Sequence, residues 1–234
     1  MATFVLIAGA FHGGWVWSRT ARILTRAGHD AYRTDLTGQG ARVRDASPTT
    51  DLSTHIQDVV DVIEAEDLAD VVLVGHSYSG MVVTGVADRL RDRVARLVYL
   101  DAMVPRNGQS AADVAGEAMA SAALAAAGED WLVPFFLPIT KFGPFASGAE
   151  QAWFEQKLRP QPVRTLFEPI LLTQAPHPAR AFLYCTADPL GIFDAYAKHA
   201  RSAADWEYQE IVSGHDPMFT APEELASSLM RIAG

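Results

Sequence analysis

Residues 69–80 read Ala69-Asp-Val-Val-Leu-Val-Gly-His-Ser-Tyr-Ser-Gly80, and Met81-Val-Val-Thr-Gly-Val-Ala-Asp-Arg-Leu90 continues at helical spacing. An apolar run that feeds a Gly-x-Ser-x-Gly turn and then a helix predicts a strand, a sharp corner and a helix, with the serine at the corner. Small residues are needed there because neighbouring backbone approaches closely, and Gly75, Ser79 and Gly80 meet that need. The corner lifts the Ser77 hydroxyl above the sheet edge. It also sets the Tyr78 N–H at the positive end of the helix, where a developing oxyanion is stabilised. Ser77 is the candidate nucleophile; a chance pentapeptide in a glycine-rich loop would lack the flanking strand and helix.

A serine hydroxyl needs a histidine base and an orienting acid, in the chain order Ser, Asp or Glu, His. The β-rich run Arg180-Ala-Phe-Leu-Tyr-Cys-Thr186 ends in Ala187-Asp188-Pro189, which puts Asp188 in a loop just past a strand. A second run, Trp206 to Val212, ends in Ser213-Gly214-His215-Asp216-Pro217, so His215 precedes the last helix and is expected as general base. Of the other histidines, His29 and His55 read as helix-surface residues, His177 and His199 lie in polar stretches, and His12 and His76 sit in glycine loops. Asp188 is the expected acid. Asp101, after the run Ala95 to Leu100, is its rival, whereas Asp216 reads as a turn residue before Pro217.

Thr3-Phe-Val-Leu-Ile-Ala8 reads as a buried strand, and Gly9-Ala-Phe-His-Gly-Gly14 turns it into a helix near Trp15. The glycine spacing fits neither a dinucleotide fingerprint nor a phosphate loop. The better reading is the second half of an oxyanion hole, with the Ala10 N–H facing that of Tyr78. His12 is expected to brace this loop by hydrogen bonding.

Taken together, the segment Phe4 to Trp17, the stretch Gly75 to Gly80 and the late Asp188 and His215 resemble the α/β-hydrolase fold, and within it the plant methylesterase and hydroxynitrile lyase group with its bacterial esterase relatives. The resemblance covers nearly the whole chain. It implies Ser77, Asp188 and His215 as triad and the N–H groups of Ala10 and Tyr78 as oxyanion hole. The segment Trp153 to Pro162 resembles the group's cap helix, and Trp131 a cap tryptophan that lines the substrate pocket. Ala8 and Ser79 depart from the usual histidine and glycine. The lyases of this group carry a threonine in the oxyanion loop and a lysine after the catalytic histidine; Gly9 and Asp216 occupy those places here, which favours hydrolysis over cyanohydrin cleavage.

Six strand-like runs, 3–8, 30–35, 70–75, 95–100, 180–186 and 206–212, alternate with helical patterns. They predict an α/β fold: a six-stranded, mostly parallel sheet with helices on both faces and ligands at the strands' C-terminal ends. From Pro105 to Ala179 no strand is evident. The chain is therefore expected as one catalytic domain, with core at 1–105 and 179–234 and a helical cap inserted at 106–178. Phe11 in the loop and Trp131, Phe135 and Phe136 in the cap are expected to enclose an apolar substrate group, as are Phe142 and Phe145.

Composition narrows the partners. With 19 basic and 28 acidic residues the net charge is −9, which disfavours nucleic acid and anionic membranes. The one cysteine, Cys185, lies in a predicted strand and reads as a buried small hydrophobe. No Cys/His cluster points to a metal, and no cofactor is expected. The short apolar start, without a basic region, fits neither a signal peptide nor a membrane span, so a cytoplasmic protein is expected. Homodimerisation stays open. The expected activity is that of a serine carboxylesterase on small hydrophobic, aryl or methyl esters. A lyase or other non-hydrolytic enzyme, and a small-molecule receptor of low turnover, are the alternatives on the same fold.

Overall fold

A computed structural model of the chain describes residues 1–177, 179–187 and 190–234. Strands β1 (Thr3–Ile7) and β2 (Asp30–Thr34) flank helix α1 (Ser18–Arg26). Helix α2 (Leu52–Ala65), β3 (Val71–His76), α3 (Ser79–Arg89) and β4 (Val94–Leu100) follow. Next come α4 (Ala111–Ala115), α5 (Glu117–Ala127), β5 (Leu132–Val133), α6 (Gly148–Lys157), β6 (Gln161–Pro162) and α7 (Val163–Phe167). The chain closes with β7 (Arg180–Cys185), α8 (Asp194–Ser202), β8 (Trp206–Ile211), α9 (Pro217–Thr220) and α10 (Pro222–Ala233). The main sheet has six strands in the order β2-β1-β3-β4-β7-β8. Every neighbouring pair in it is parallel.

The period-2 geometry of strands divides the core into two layers. Val5 and Ile7 of β1 and Val71 and Leu73 of β3 pack with Ile56 of α2, Val82 and Val86 of α3 and Ala197 of α8. The alternate residues Phe4, Leu6, Val72 and Val74 pack on the other face with Leu24 of α1 and Leu225 and Leu229 of α10. Central strands buried on both faces read as unbroken apolar runs, which is why β1, β3 and β4 were legible as strands.

Between β4 and β7 the chain forms the expected helices. It also forms an antiparallel pair of two-residue strands, with Leu132 opposite Pro162 and Val133 opposite Gln161, where the sequence suggested no strand. Two residues on each side are too short for a period to register. The insertion is tied back to the core: the Arg159 N–H donates to Phe11 O at 2.9 Å and the His215 N–H to Lys141 O at 2.8 Å.

The parallel register brings the loops that follow β3 and β4 together. His76 pairs with Leu100 and Leu100 with Leu183, so Ser77 and Asp101 are each the next residue on neighbouring strands. The Ser77 N–H donates to Leu100 O at 3.2 Å, the Met103 N–H to Ser77 O at 3.1 Å, and the Asp101 N–H to Leu183 O at 2.7 Å. This packing leaves no space at Gly80, where an added Cβ would lie 1.9 Å from Met103 O. Gly80→Ala should lower the unfolding free energy by about 3 kcal/mol or more in urea titrations. Gly148→Ala, where a Cβ meets nothing within 4 Å, is the matched control and should be neutral or slightly stabilising.

Candidate active site

Ser77 adopts φ +55°, a left-handed conformation that is rare for a residue with a Cβ. It is also the only residue from Val71 to Val83 that is not buried. The corner therefore presents one hydroxyl and hides everything around it. Ser79 and Ala8, the two departures noted in the sequence, are partners: the Ser79 Oγ–H donates to Ala8 O at 2.5 Å, joining the corner to the end of β1. Gly9 closes the same contact, since a Cβ there would stand 2.8 Å from Ser77 Cβ.

His215 is buried beside the serine's strand. Its ring stacks on Phe193 with centroids 5.3 Å apart and lies 4.4 Å from the ring of His76. The Nδ1–H donates to Asp101 Oδ2 at 2.7 Å, which in the neutral ring leaves Nε2 as the basic nitrogen. Asp101 Oδ1 also accepts the Cys185 N–H at 3.4 Å. Burial raises the Asp101 carboxyl above its usual range, and the bond from His215 pulls it back only in part. The carboxylate on the imidazole is thus Asp101, the rival in the sequence reading. Asp188, the expected acid, lies outside the described residues.

Around the serine is a cavity of about 70 Å³ with an almost wholly apolar wall. It is lined by Ala10, Phe11, Ser77 and Tyr78, by Ala111, Ala115, Ala120 and Ala123 of α4 and α5, and by Phe136. Trp131, Phe135, Phe142 and Phe145, also expected around the substrate, are not in this lining. The Trp131 carbonyl accepts the Val163 N–H at 2.8 Å beside the β5–β6 pair. Phe135 packs edge-on against Phe11 and Phe142, with centroids 5.4 and 5.3 Å apart, behind the cavity wall. A larger cleft of about 330 Å³ between α3 and residues 172–177 touches neither Ser77 nor His215.

Three polar residues that the sequence reading does not mark as buried are buried. Asp216 precedes α9, whose Phe219 and Thr220 N–H groups donate to its carbonyl, and its side chain is fully buried and approaches His12 Nε2 at 3.1 Å. His55 is buried too: its Nε2–H donates to Thr37 O at 2.9 Å, and its Nδ1 faces the Tyr78 hydroxyl at 3.0 Å. Its signal was in the sequence, because it shares a helical face with Leu52, Ile56 and Val59. His177 is buried with its Nε2–H on Val94 O at 2.9 Å. His12 does brace its loop, its Nδ1–H donating to Ala10 O at 2.6 Å. The loop has a second brace with no sequence signal, the buried Gln161, whose Oε1 accepts the Phe11 N–H at 3.2 Å. Among the described residues no three His, Cys, Asp or Glu side chains form a metal-ligand set.

The arrangement matches a known family over residues 4–228. The chain belongs to the alpha/beta hydrolase family. It is 37% identical over 238 residues to the carbendazim hydrolyzing esterase of Nocardioides sp. (strain SG-4G), covering 98% of both chains. It is 26% identical to putative methylesterase 12, chloroplastic, of Arabidopsis thaliana, covering 98% of this chain and 71% of that one. Among solved structures, an extracellular alpha/beta-hydrolase from a Paenibacillus species, reported to share structural and functional homology with tobacco salicylic acid binding protein 2, superposes with a TM-score of 0.86. That match has 29% identity and covers 100% of this chain and 99% of the other.

Cys185 sits next to the Asp101 carboxylate, and burial drives its thiol well above the usual range, with Asp101 adding to the shift. A thiol held protonated and out of solvent is unreactive. Native protein should leave Cys185 unlabelled by Ellman's reagent, with full labelling in guanidinium; rapid labelling of folded protein would contradict this burial.

Proposed function

We propose that this chain is a carboxylic ester hydrolase that works through an acyl-enzyme, with Ser77 as nucleophile, His215 as general base and Asp101 as the acid that orients it. The observation that carries the reading is the 2.7 Å bond from His215 Nδ1–H to the buried Asp101, on a family scaffold whose serine occupies a left-handed corner. The similarity to named esterases along the whole chain supports it.

Ser77 Oγ attacks the ester carbonyl carbon while its proton passes to His215 Nε2. The carbonyl oxygen becomes an oxyanion, received by the backbone N–H groups of Ala10 and Tyr78. Asp101 holds the ring in the tautomer that accepts this proton and stabilises the imidazolium that results. The intermediate then expels the alkoxy group, which takes the proton from Nε2 and leaves as the alcohol. Water repeats the sequence on the acyl-enzyme, releases the acid and restores Ser77. Proton transfer and charge stabilisation are both supplied by side chains and backbone, so the reaction needs no cofactor.

Among the described residues the cavity lining carries no cationic side chain, so the substrate class is a small, uncharged ester with a hydrophobic, aryl or methyl group. Phe11 and Phe136 would touch it. Asp216, which stands where the lyases carry a lysine, does not act on the leaving group directly, because this carboxylate faces His12 and His76 and is not in the cavity lining. Preference for hydrolysis over lyase chemistry rests on Gly9, where a threonine would collide with Ser77. Among the described residues no helix is long and apolar enough to cross a membrane. The cytoplasmic location goes with the lone cysteine, and residues 106–178 serve as the cap over the serine.

Ser77→Ala and His215→Ala should each lower kcat/KM for a p-nitrophenyl ester by about 10⁴-fold to 10⁶-fold with the fold intact by circular dichroism. Asp101→Asn should cost about 10⁴-fold, as a triad aspartate does in serine proteases, and Asp188→Asn at most about 10-fold. The opposite order would return the orienting role to Asp188. Retention of more than about a tenth of activity in Ser77→Ala would overturn the nucleophile.

A further inference from the structure

Asp216 is an unusual residue for its position. The side chain is fully buried, and neither oxygen has an aligned hydrogen bond among the described residues. An ionised carboxylate removed from water persists only with charge compensation. The charge compensation comes from His12, whose Nε2 lies 3.1 Å from Oδ2, while the neutral His76 adds a polar contact, its Nε2 lying 3.4 Å from Oδ1.

Each contact reaches a different part of the catalytic apparatus. His12 is on the oxyanion loop, where its Nδ1–H donates to the carbonyl of Ala10 at 2.6 Å. His76 directly precedes Ser77 and donates its Nε2–H to the carbonyl of His215 at 2.9 Å. Asp216 itself is the residue after the base. A shift of any one of these loops would have to break a contact of this carboxylate.

Resting on the esterase reading above, we propose that Asp216 is a positioning residue: with His12 and His76 it locks the oxyanion loop, the nucleophile corner and the base loop into one register. It touches no substrate and acts through Ala10, Ser77 and His215. The charge distribution agrees. Burial works against both charged forms, yet their mutual attraction wins, holding His12 above the ordinary histidine range and Asp216 below the ordinary carboxylate range. His76, by burial and then by the adjacent His215, is held well below that range and stays neutral.

The sign of the pH effect follows. The His12 imidazolium is complete below about pH 6.5, the value of an unperturbed histidine, and is lost as pH rises through the raised folded value. Above that value the Asp216 charge is uncompensated. Asp216, His76 and the aromatic rings of Trp15, Phe142 and Phe154 face His12. His76, His215 and the Cys185 thiol also feel Asp216, and Cys185 feels Glu224 as well. Of these, His12 and Asp216 are the pair whose mutual charge is lost in this range.

The test is steady-state kinetics with p-nitrophenyl acetate on wild type, Asp216→Asn, His12→Asn and the double variant. Each single change should lower kcat about 10-fold to 100-fold, the scale of misplacing reacting groups by about 1 Å, with KM within about 3-fold. The double variant should lose no more than about 3-fold beyond the worse single, because one contact is removed in both. Wild-type kcat should fall on the alkaline side while near-ultraviolet circular dichroism is unchanged, and Asp216→Asn should lack that fall. A fall in melting temperature with kcat within about 2-fold of wild type would overturn the proposal, as would multiplicative losses in the double variant. If the variants do not fold, the wild-type profile decides, and a flat alkaline limb counts against it. Loss of activity in Ser77→Ala tests the esterase reading separately, so the two can fail independently.

Discussion

The left-handed backbone at Ser77 is the constraint on which the rest of the site depends. Such a conformation costs about 1 to 3 kcal/mol and persists only where its surroundings over-determine it. Here β4 and the loop after it hold it, through Leu100 O on the Ser77 N–H and the Met103 N–H on Ser77 O. Gly75 and Gly80 let Ser79 and Met103 approach to distances that a Cβ would forbid. Asp101, one strand over, takes φ +43°, so two neighbouring strands end in left-handed corners.

Two buried carboxylates lie close to His215, and their partners separate their roles. Asp101 faces the imidazole itself and fixes its tautomer. Asp216 faces His12 and His76 and fixes the backbone that carries the imidazole. The same residue type thus acts once on the reacting ring and once on its support. Each is tolerated away from water through a histidine, Asp101 by the hydrogen bond from His215 and Asp216 by the charge of His12.

The sheet, the corner and the late histidine were legible because each leaves a local signal: an apolar run, small residues at a turn, a loop before the last helix. The acid was not legible in the same way. Asp101 and Asp188 both follow strand-like runs, and which one meets a histidine is decided by strand order and register, a contact spanning 114 positions for Asp101. The burial of Asp216 was not legible, because a turn-forming Asp-Pro looks the same whether exposed or buried. Its burial depends on Gly214, packed against Gly143 O, and on the insertion holding the His215 backbone through Lys141 O. Aromatic content in the insertion likewise marks a layer of packing but not which ring reaches the serine.

The account depends most on a covalent intermediate at Ser77. Rapid mixing with p-nitrophenyl acetate, acid quenching within the first turnover and peptide mass spectrometry test it directly. The expected result is a burst of about one nitrophenolate per chain, with the acetyl group on the peptide that carries Ser77. Turnover without a burst, or with acetyl found only at another residue, would contradict it.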